Sequence, residues 1–303
     1  MKKPDGYNKL KLSCRMKKSY VSYIMIAPFM LFFLFFTVIP ILVAVVLSFT
    51  DFNLLNFPKF VLFDNYTRLI VGDKTFVTAL KNTLILSFIN GPIGYIAAFF
   101  LAWLINEMPN KLRVFMTLVF YAPSISGNIY FIWKFIFSGD SYGLINGWLM
   151  SFGIINEPVL WLSNTNTAMA VVIIVQLWTS LGVSFLAFIA GFQSVDRSQY
   201  EAAAIDGVRN RFEELWYVTV PNMKDMLLFG AVMQIANTFS VGSITDALTG
   251  GHLSVSGSTV TIVNHMNDYG SVRYEMGYAC AISVLLFALV YFSKKIIFKL
   301  LKW

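Results

Sequence analysis

The residues with the most organised chemistry lie at 194–221, SVDRSQYEAAAIDGVRNRFEELWYVTVP. Ser198, followed three residues later by Glu201, predicts a capping box that starts a helix. Tyr200 to Ile205 tolerate a helical backbone, and Gly207 supplies the left-handed or close-packed position that ends it. Asn210 with Glu213 predicts the cap of a second helix, which Pro221 stops. The outcome is a helix, a glycine turn and another helix. Its small Ala202, Ala203 and Ala204 would let a partner's backbone come close, as in helix-in-groove docking. An amphipathic helix lying on a membrane surface is the competing reading, and the spacing alone leaves both open.

Other chemistry is missing. No G-x-x-x-x-G-K-[ST] or H-E-x-x-H occurs, so the chain has no P-loop or zincin helix of its own. His252 and His265 lack a third ligand nearby and read as surface histidines, with no metal expected. Cys14 and Cys280 lie at opposite ends of the chain, Cys14 in a basic leader and Cys280 in an apolar run, and no disulfide is expected between them.

The elements that carry these residues are set by hydropathy. Of 303 residues, 57% are hydrophobic and 13% charged, with a mean hydropathy of +0.67. A soluble domain carries about 25% charged residues, so much of this surface faces something other than water. Six stretches approach the roughly 20 residues needed to cross hydrocarbon: 20–49, 80–105, 114–137, 168–192, 226–244 and 276–298. Gly91, Pro92 and Gly94 predict a kink in the second, and Pro123 and Gly127 interrupt the third. The first is too long for a cleaved signal and reads as a retained span behind a basic leader at 1–19.

Lys and Arg crowd the leader, the second-to-third and fourth-to-fifth connections, and the tail. Both termini and the 194–221 segment are therefore expected on the cytoplasmic side. The net charge of +7 reflects topology rather than nucleic-acid binding, because the basic residues hug span ends. Residues 51–79, 138–167 and 245–275 face outward. None is large enough for a separate domain, and no internal repeat is visible, so 20–303 reads as one transmembrane unit.

Polar residues inside spans are costly and face a cavity or another helix. Gln176, Trp178, Thr179 and Ser180 fall midway along the fourth span, and Asn237, Thr238 and Ser240 late in the fifth. Asn82, Asn90 and Asn128 read as bilayer-edge or kink residues, and Lys134 can snorkel to the interface. An amide-plus-aromatic set suits carbohydrate, whose hydroxyls want paired partners and whose faces stack on Trp. Interhelical hydrogen bonding is the alternative. No carboxylate lies in a span interior, which disfavours an ion-coupled carrier.

The run Tyr200-Glu201-Ala202-Ala203-x-x-Asp206-Gly207, with Pro221 fourteen residues after the glycine, resembles the EAA loop of binding-protein-dependent ABC importer permeases. Leu47-Ser-Phe-Thr-Asp-Phe52, Asp64-Asn65-Tyr66, Leu80-Lys-Asn-Thr83 and Leu248-Thr-Gly-Gly251 are similar to its carbohydrate branch, which includes the maltose and glycerol-3-phosphate permeases. That branch usually has Pro after the Gly-Gly, where this chain has His252.

The resemblance implies an all-α, six-helix transmembrane bundle of type I importer class in a bacterial cytoplasmic membrane. It implies a transport subunit rather than an enzyme, which binds no cofactor itself. ATP and Mg would sit on two partner ATPase subunits, beside a second homologous permease and an extracytoplasmic solute-binding protein that delivers carbohydrate. ATPase coupling falls to Tyr200, Glu201, Ala202, Ala203, Asp206, Gly207 and Pro221, and the substrate pathway to Gln176, Trp178, Thr179, Ser180, Asn237, Thr238 and Ser240. The outer loops 138–167 and 245–275 would receive the binding protein. A permease for glycerol-phosphate or another polar metabolite is the alternative within the class. Phosphate wants Arg or Lys facing the cavity, and the span interiors offer almost none.

Overall fold

The computed structural model describes residues 20–127 and 130–300. The leader with Cys14, and Asn128, lie outside the described residues. In chain order the helices are α1 (Tyr20–Leu47), α2 (Lys74–Asn106), α3 (Asn110–Ile125), α4 (Tyr130–Ile136), α5 (Leu144–Ser151), α6 (Ala168–Thr179) and α7 (Val183–Ser194). They continue with α8 (Arg197–Ile205), α9 (residues 211–222), α10 (Lys224–Phe239), α11 (Ser243–Thr249), α12 (Ile262–Asn267) and α13 (Met276–Leu300). Among the described residues, four helical stretches are long and apolar enough to cross a bilayer, or six if each of two bent pairs is one span.

α2, α7 and α10 pack together at the centre. Small residues let them approach closely, as within a membrane where apolar transfer gives little drive for association. Ala98 and Ala102 of α2 are fully buried against Phe185, Phe188 and Phe192 of α7. A Cβ on Gly230 of α10 would lie 2.5 Å from the Phe188 ring. A second cluster joins Leu86 of α2, Val171, Val172 and Val175 of α6, and Ile244 and Leu248 of α11.

α1 is exposed along nearly its whole length and meets the bundle through its last turns, against α13. There Asn65 donates from Nδ2 to the carbonyls of Ser48, at 2.9 Å, and Thr50, at 2.8 Å. Those carbonyls are released where α1 ends, and a buried carbonyl must find a donor.

Several elements differ from the sequence expectation. The second span starts at Lys74, because the Asp73 carboxylate accepts the Phe76 N–H at 2.9 Å and caps the helix there. At 33 residues α2 runs about 50 Å, longer than the hydrocarbon is thick. The third stretch is not one helix: α3 and α4 meet at 88°. The fourth is broken at Ser180–Gly182, between α6 and α7. The fifth ends at Phe239 and turns by 41° into α11. Asn82 and Asn90, expected at a bilayer edge or a kink, are both buried within the bundle. Asn82 donates to Gly257 O and Val260 O at 3.1 and 3.0 Å, holding the 255–261 loop, and Asn90 is fully buried.

Candidate functional site

At the end assigned to the cytoplasm by charge, α8, the Gly207 turn and α9 form an elbow. The starter of α8 is Asp196, whose carboxylate accepts the Ser198 N–H at 3.1 Å; the expected Ser198–Glu201 capping box is not what forms. Asp196 lies one residue before the helix in extended backbone, where a carboxylate reaches the free N–H groups. Glu201 instead faces Arg197 one turn back, at 3.4 Å, with both side chains exposed.

The other end is a Schellman turn. Gly207 has φ +98°, its N–H reaches Ala204 O, and the Val208 N–H reaches Ala203 O at 3.0 Å. The Asn210 Oδ1 accepts the Glu213 N–H at 2.8 Å, and Glu213 returns to accept the Arg209 N–H at 2.8 Å. Pro221 does not stop α9. It sits in the last turn, after a π-helical stretch at Glu214–Thr219, and the break comes at Met223. Proline has no N–H to lose where the backbone pattern has already been widened. Glu201, Ala202, Ala204, Ile205 and Asp206 are exposed, while Tyr200 and Ala203 are half-buried against α9. Arg211 lies 3.7 Å from Glu107, and Phe212 stacks edge-on with Trp103, which ties the elbow to the end of α2.

A polar layer crosses the bundle where α2 passes the break between α6 and α7. Asn90 Nδ2 donates to Gln176 Oε1. Gln234 Nε2 donates to the Asn90 carbonyl at 3.2 Å, and Ser184 donates to Gln234 Oε1 at 3.2 Å. The Thr238 hydroxyl donates to Gln234 O at 2.6 Å, and Thr179 and Ser180 bond to carbonyls within α6. Gln176, Thr179, Ser180 and Thr238 are therefore buried between helices. Trp178 is half-buried and packs edge-to-face on Trp133 at 5.2 Å.

Asn237 and Ser240 behave differently, because they are exposed. With Ser124, Ser126, Tyr130, Thr179 and Ser243 they line an open cleft of about 170 Å³, and none of its lining among the described residues is charged. Its walls are the ends of broken helices: α3 and α4, the C-terminus of α6, and the α10–α11 bend. Irregular backbone at membrane depth is tolerated where it lines such a cavity.

At the opposite end the histidines are not idle surface residues. His265 is 1% exposed. Its Nε2 lies 2.8 Å from Asp73 Oδ2, which can only accept, so Nε2 carries the proton. The Tyr278 hydroxyl donates to the same oxygen at 2.8 Å. Burial alone would push the Asp73 carboxyl up; the Phe76 N–H, Tyr278 and His265 outweigh it and hold it below the ordinary value. Burial pushes His265 below its ordinary value, with Asp73 opposing in part. His252 lies 3.4 Å from Asp268, which also pairs with Arg273 at 2.7 Å. Among the described residues no three His, Cys, Asp or Glu side chains converge as metal ligands.

The pattern of the family described as binding-protein-dependent transport system inner membrane component matches residues 90–299. The chain belongs to that family. It is 30% identical over 299 residues to the probable ABC transporter permease protein YesP of Bacillus subtilis (strain 168), covering 97% of this chain and 95% of that one. The arabinooligosaccharides transport system permease protein AraP of the same organism is 30% identical over 275 residues, covering 90% and 86%. The lactose transport system permease protein LacF of Rhizobium radiobacter is 30% identical over 226 residues, covering 72% and 74%. In fold, the chain superimposes on a chain of a bacterial alginate ABC transporter solved with an alginate pentasaccharide-bound periplasmic protein. The TM-score is 0.73 at 22% identity, covering 97% of this chain and 99% of that one. As a permease of this family, the chain has its all-α bundle.

Sequence reasoning missed Ser124, Ser126, Tyr130 and Ser243 in the cleft, Gln234 in the buried layer, and Asp73 and Tyr278 beside His265. Gln234 carried a usable signal, an amide in an apolar run; the others are ordinary in type and become informative once the helix breaks bring them together.

Proposed function

We propose that this chain is the membrane permease of an ATP-driven importer for a neutral sugar or oligosaccharide. It forms half of the pathway and carries out no bond chemistry itself. The observation that carries this reading is the elbow: a capped helix, α8, whose Glu201, Ala202, Ala204, Asp206 and Gly207 are left exposed by the rest of the chain. Such a helix suits the groove of a separate ATPase subunit. In the proposed complex two ATPase subunits hold ATP and Mg, and a second permease closes the cleft. An extracytoplasmic binding protein delivers the sugar from the side of residues 138–167 and 245–275, in a bacterial cytoplasmic membrane.

The cleft supports a neutral polyol. Asn237, Ser240, Ser243, Ser124, Ser126 and Tyr130 offer hydroxyl and amide groups, which exchange donors and acceptors with sugar hydroxyls. A phosphorylated substrate would want a guanidinium or ammonium there. The names of relatives that transport lactose or arabinooligosaccharides point the same way. Of the residues first expected on the pathway, Asn237 and Ser240 are proposed as direct contacts. Gln176, Thr238, Thr179 and Ser180 are proposed to hold the helices that present them, with Trp178 packing behind.

The test is to purify the chain in mild detergent, identify the proteins that come with it, and titrate sugars and sugar phosphates against the recovered binding protein. ATPase and binding-protein partners with a neutral sugar ligand are expected. Recovery without an ATPase would overturn the importer reading, and a sugar phosphate as the tight ligand would overturn the neutral-substrate reading.

A further inference from the structure

Whatever docks on α8, its displacement reaches the cleft through α9 and α10, so the contacts between these helices decide how stiff the path is. Tyr200 Oη lies 2.9 Å from Thr219 Oγ1, and Thr219 Oγ1 lies 3.2 Å from the Glu214 carbonyl. A carbonyl only accepts, so Thr219 donates to Glu214 O and Tyr200 donates to Thr219. Thr219 is 3% exposed, and a hydroxyl so placed is costly unless bonded.

The segment bridged by this relay, Glu214–Thr219, is π-helical. Such turns recur at functional sites; this one, unlike those at Leu34–Val38, Arg68–Gly72 and Asp268–Val272, lies in the elbow. Beyond the relay the Thr219 carbonyl accepts the Met223 N–H at 3.0 Å. Met223 is 1% exposed and sits against Gly191, where an added Cβ would come within 2.8 Å of the Met223 methyl group. α10 starts at the next residue and ends at Phe239, just before Ser240 on the cleft. A continuous path thus runs from Tyr200 through Thr219 and Met223 to α7 and α10.

We infer that Thr219 is a positioning residue for transport: with Tyr200 it locks α8 onto the π-turn, so that α8 and the cleft-lining end of α10 move as one body. The inference rests on the reading of α8 as the ATPase-docking helix. Thr219→Val keeps the shape and removes the hydroxyl; Thr219→Ser restores it. Without it, α8 can rock while α10 stays behind, and hydrolysis proceeds without opening the cleft.

The experiment uses the chain recovered with its ATPase subunits and reconstituted in lipid, with ATP and vanadate as the probe. One nitroxide pair, at Ala204→Cys and Ile96→Cys, follows α8 against α2. A second, at Ser240→Cys and Ile125→Cys, follows the cleft; all four positions are exposed. With Thr219 present, both distance distributions shift on adding ATP and vanadate. With Thr219→Val the first pair still shifts while the cleft pair loses more than half of its shift, as it does with Tyr200→Phe, and Thr219→Ser recovers it. A full cleft shift with Thr219→Val overturns the inference. So does a first pair already displaced without nucleotide, which would make the hydroxyl a fold determinant only. If neither pair moves in the unsubstituted complex, the docking reading of α8 fails, and this inference with it.

Discussion

Gly94 of α2 and Gln234 of α10 are in contact through the absence of a side chain: a Cβ on Gly94 would collide with Gln234 Nε2 and lie 2.7 Å from Ser180 Oγ. Three helices therefore meet at one glycine, beside the Ser180–Gly182 break and beneath the Asn90–Gln176 hydrogen bond.

Gly94→Ala is expected to push Gln234 out of its bond to the Asn90 carbonyl, at about 1–3 kcal/mol for an overpacked core. Gly91→Ala, three residues earlier with nothing within 4 Å, is the control and should not lower the unfolding temperature in detergent. Equal midpoints for the two variants would remove the close-packing argument.

Buried and exposed polar residues should separate by assay. Gln176→Leu strands the Asn90 amide and costs about 1 kcal/mol, the scale of an interhelical hydrogen bond. Asn237→Ala removes an exposed cleft group and should leave the unfolding midpoint alone while raising the substrate concentration needed for half-maximal uptake. If Asn237→Ala lowers the midpoint as Gln176→Leu does, the division between cleft and packing is wrong.

Gly207 has φ +98°, and a Cβ added there would meet no heavy atom within 4 Å, so the penalty of substitution lies in the backbone. Gly207→Val should cost about 1–2 kcal/mol locally and redirect α9 from α8. The variant is expected to insert in the membrane but lose coupled uptake, and Gly207→Asn, which tolerates positive φ, should retain more. Normal uptake by Gly207→Val would contradict the elbow's role.

The Asp73–His265 pair predicts acid sensitivity at the end of the bundle opposite the elbow. The folded value of His265 is depressed from 6.5, so folding favours the neutral ring. Its contribution is complete above 6.5 and is lost as pH falls below that. Asp73 is also depressed, from 3.8, so its contribution disappears in stronger acid still, as pH drops through the folded value. Thermal midpoints should be flat above 6.5 and decline below it, and His265→Gln, which can still donate to Asp73, should flatten the first part of that decline. An unchanged profile in His265→Gln would assign the acid sensitivity elsewhere.

What was legible in the sequence was local. Apolar runs marked the spans because a bilayer demands length and hydropathy from each segment alone. Asn210, Glu213 and Gly207 announced the elbow because caps and positive-φ turns are settled within a few residues. Even there Asp196 displaced Ser198 as the cap, since two good capping residues lay two positions apart and the extended backbone fell at the first.

The tertiary structure decided which faces those segments show. Thr238 and Asn237 are adjacent in chain, yet one is buried in the α2–α7–α10 packing and the other opens on the cleft, because neighbouring helices set the rotation of α10. The breaks at Ser180–Gly182 and after Phe239 also belong to that level. His265 becomes a buried partner of Asp73 across 192 residues, a pairing that no local pattern encodes. Sequence determined that this is a membrane bundle with a capped helical elbow; packing alone chose the polar groups that line its cleft.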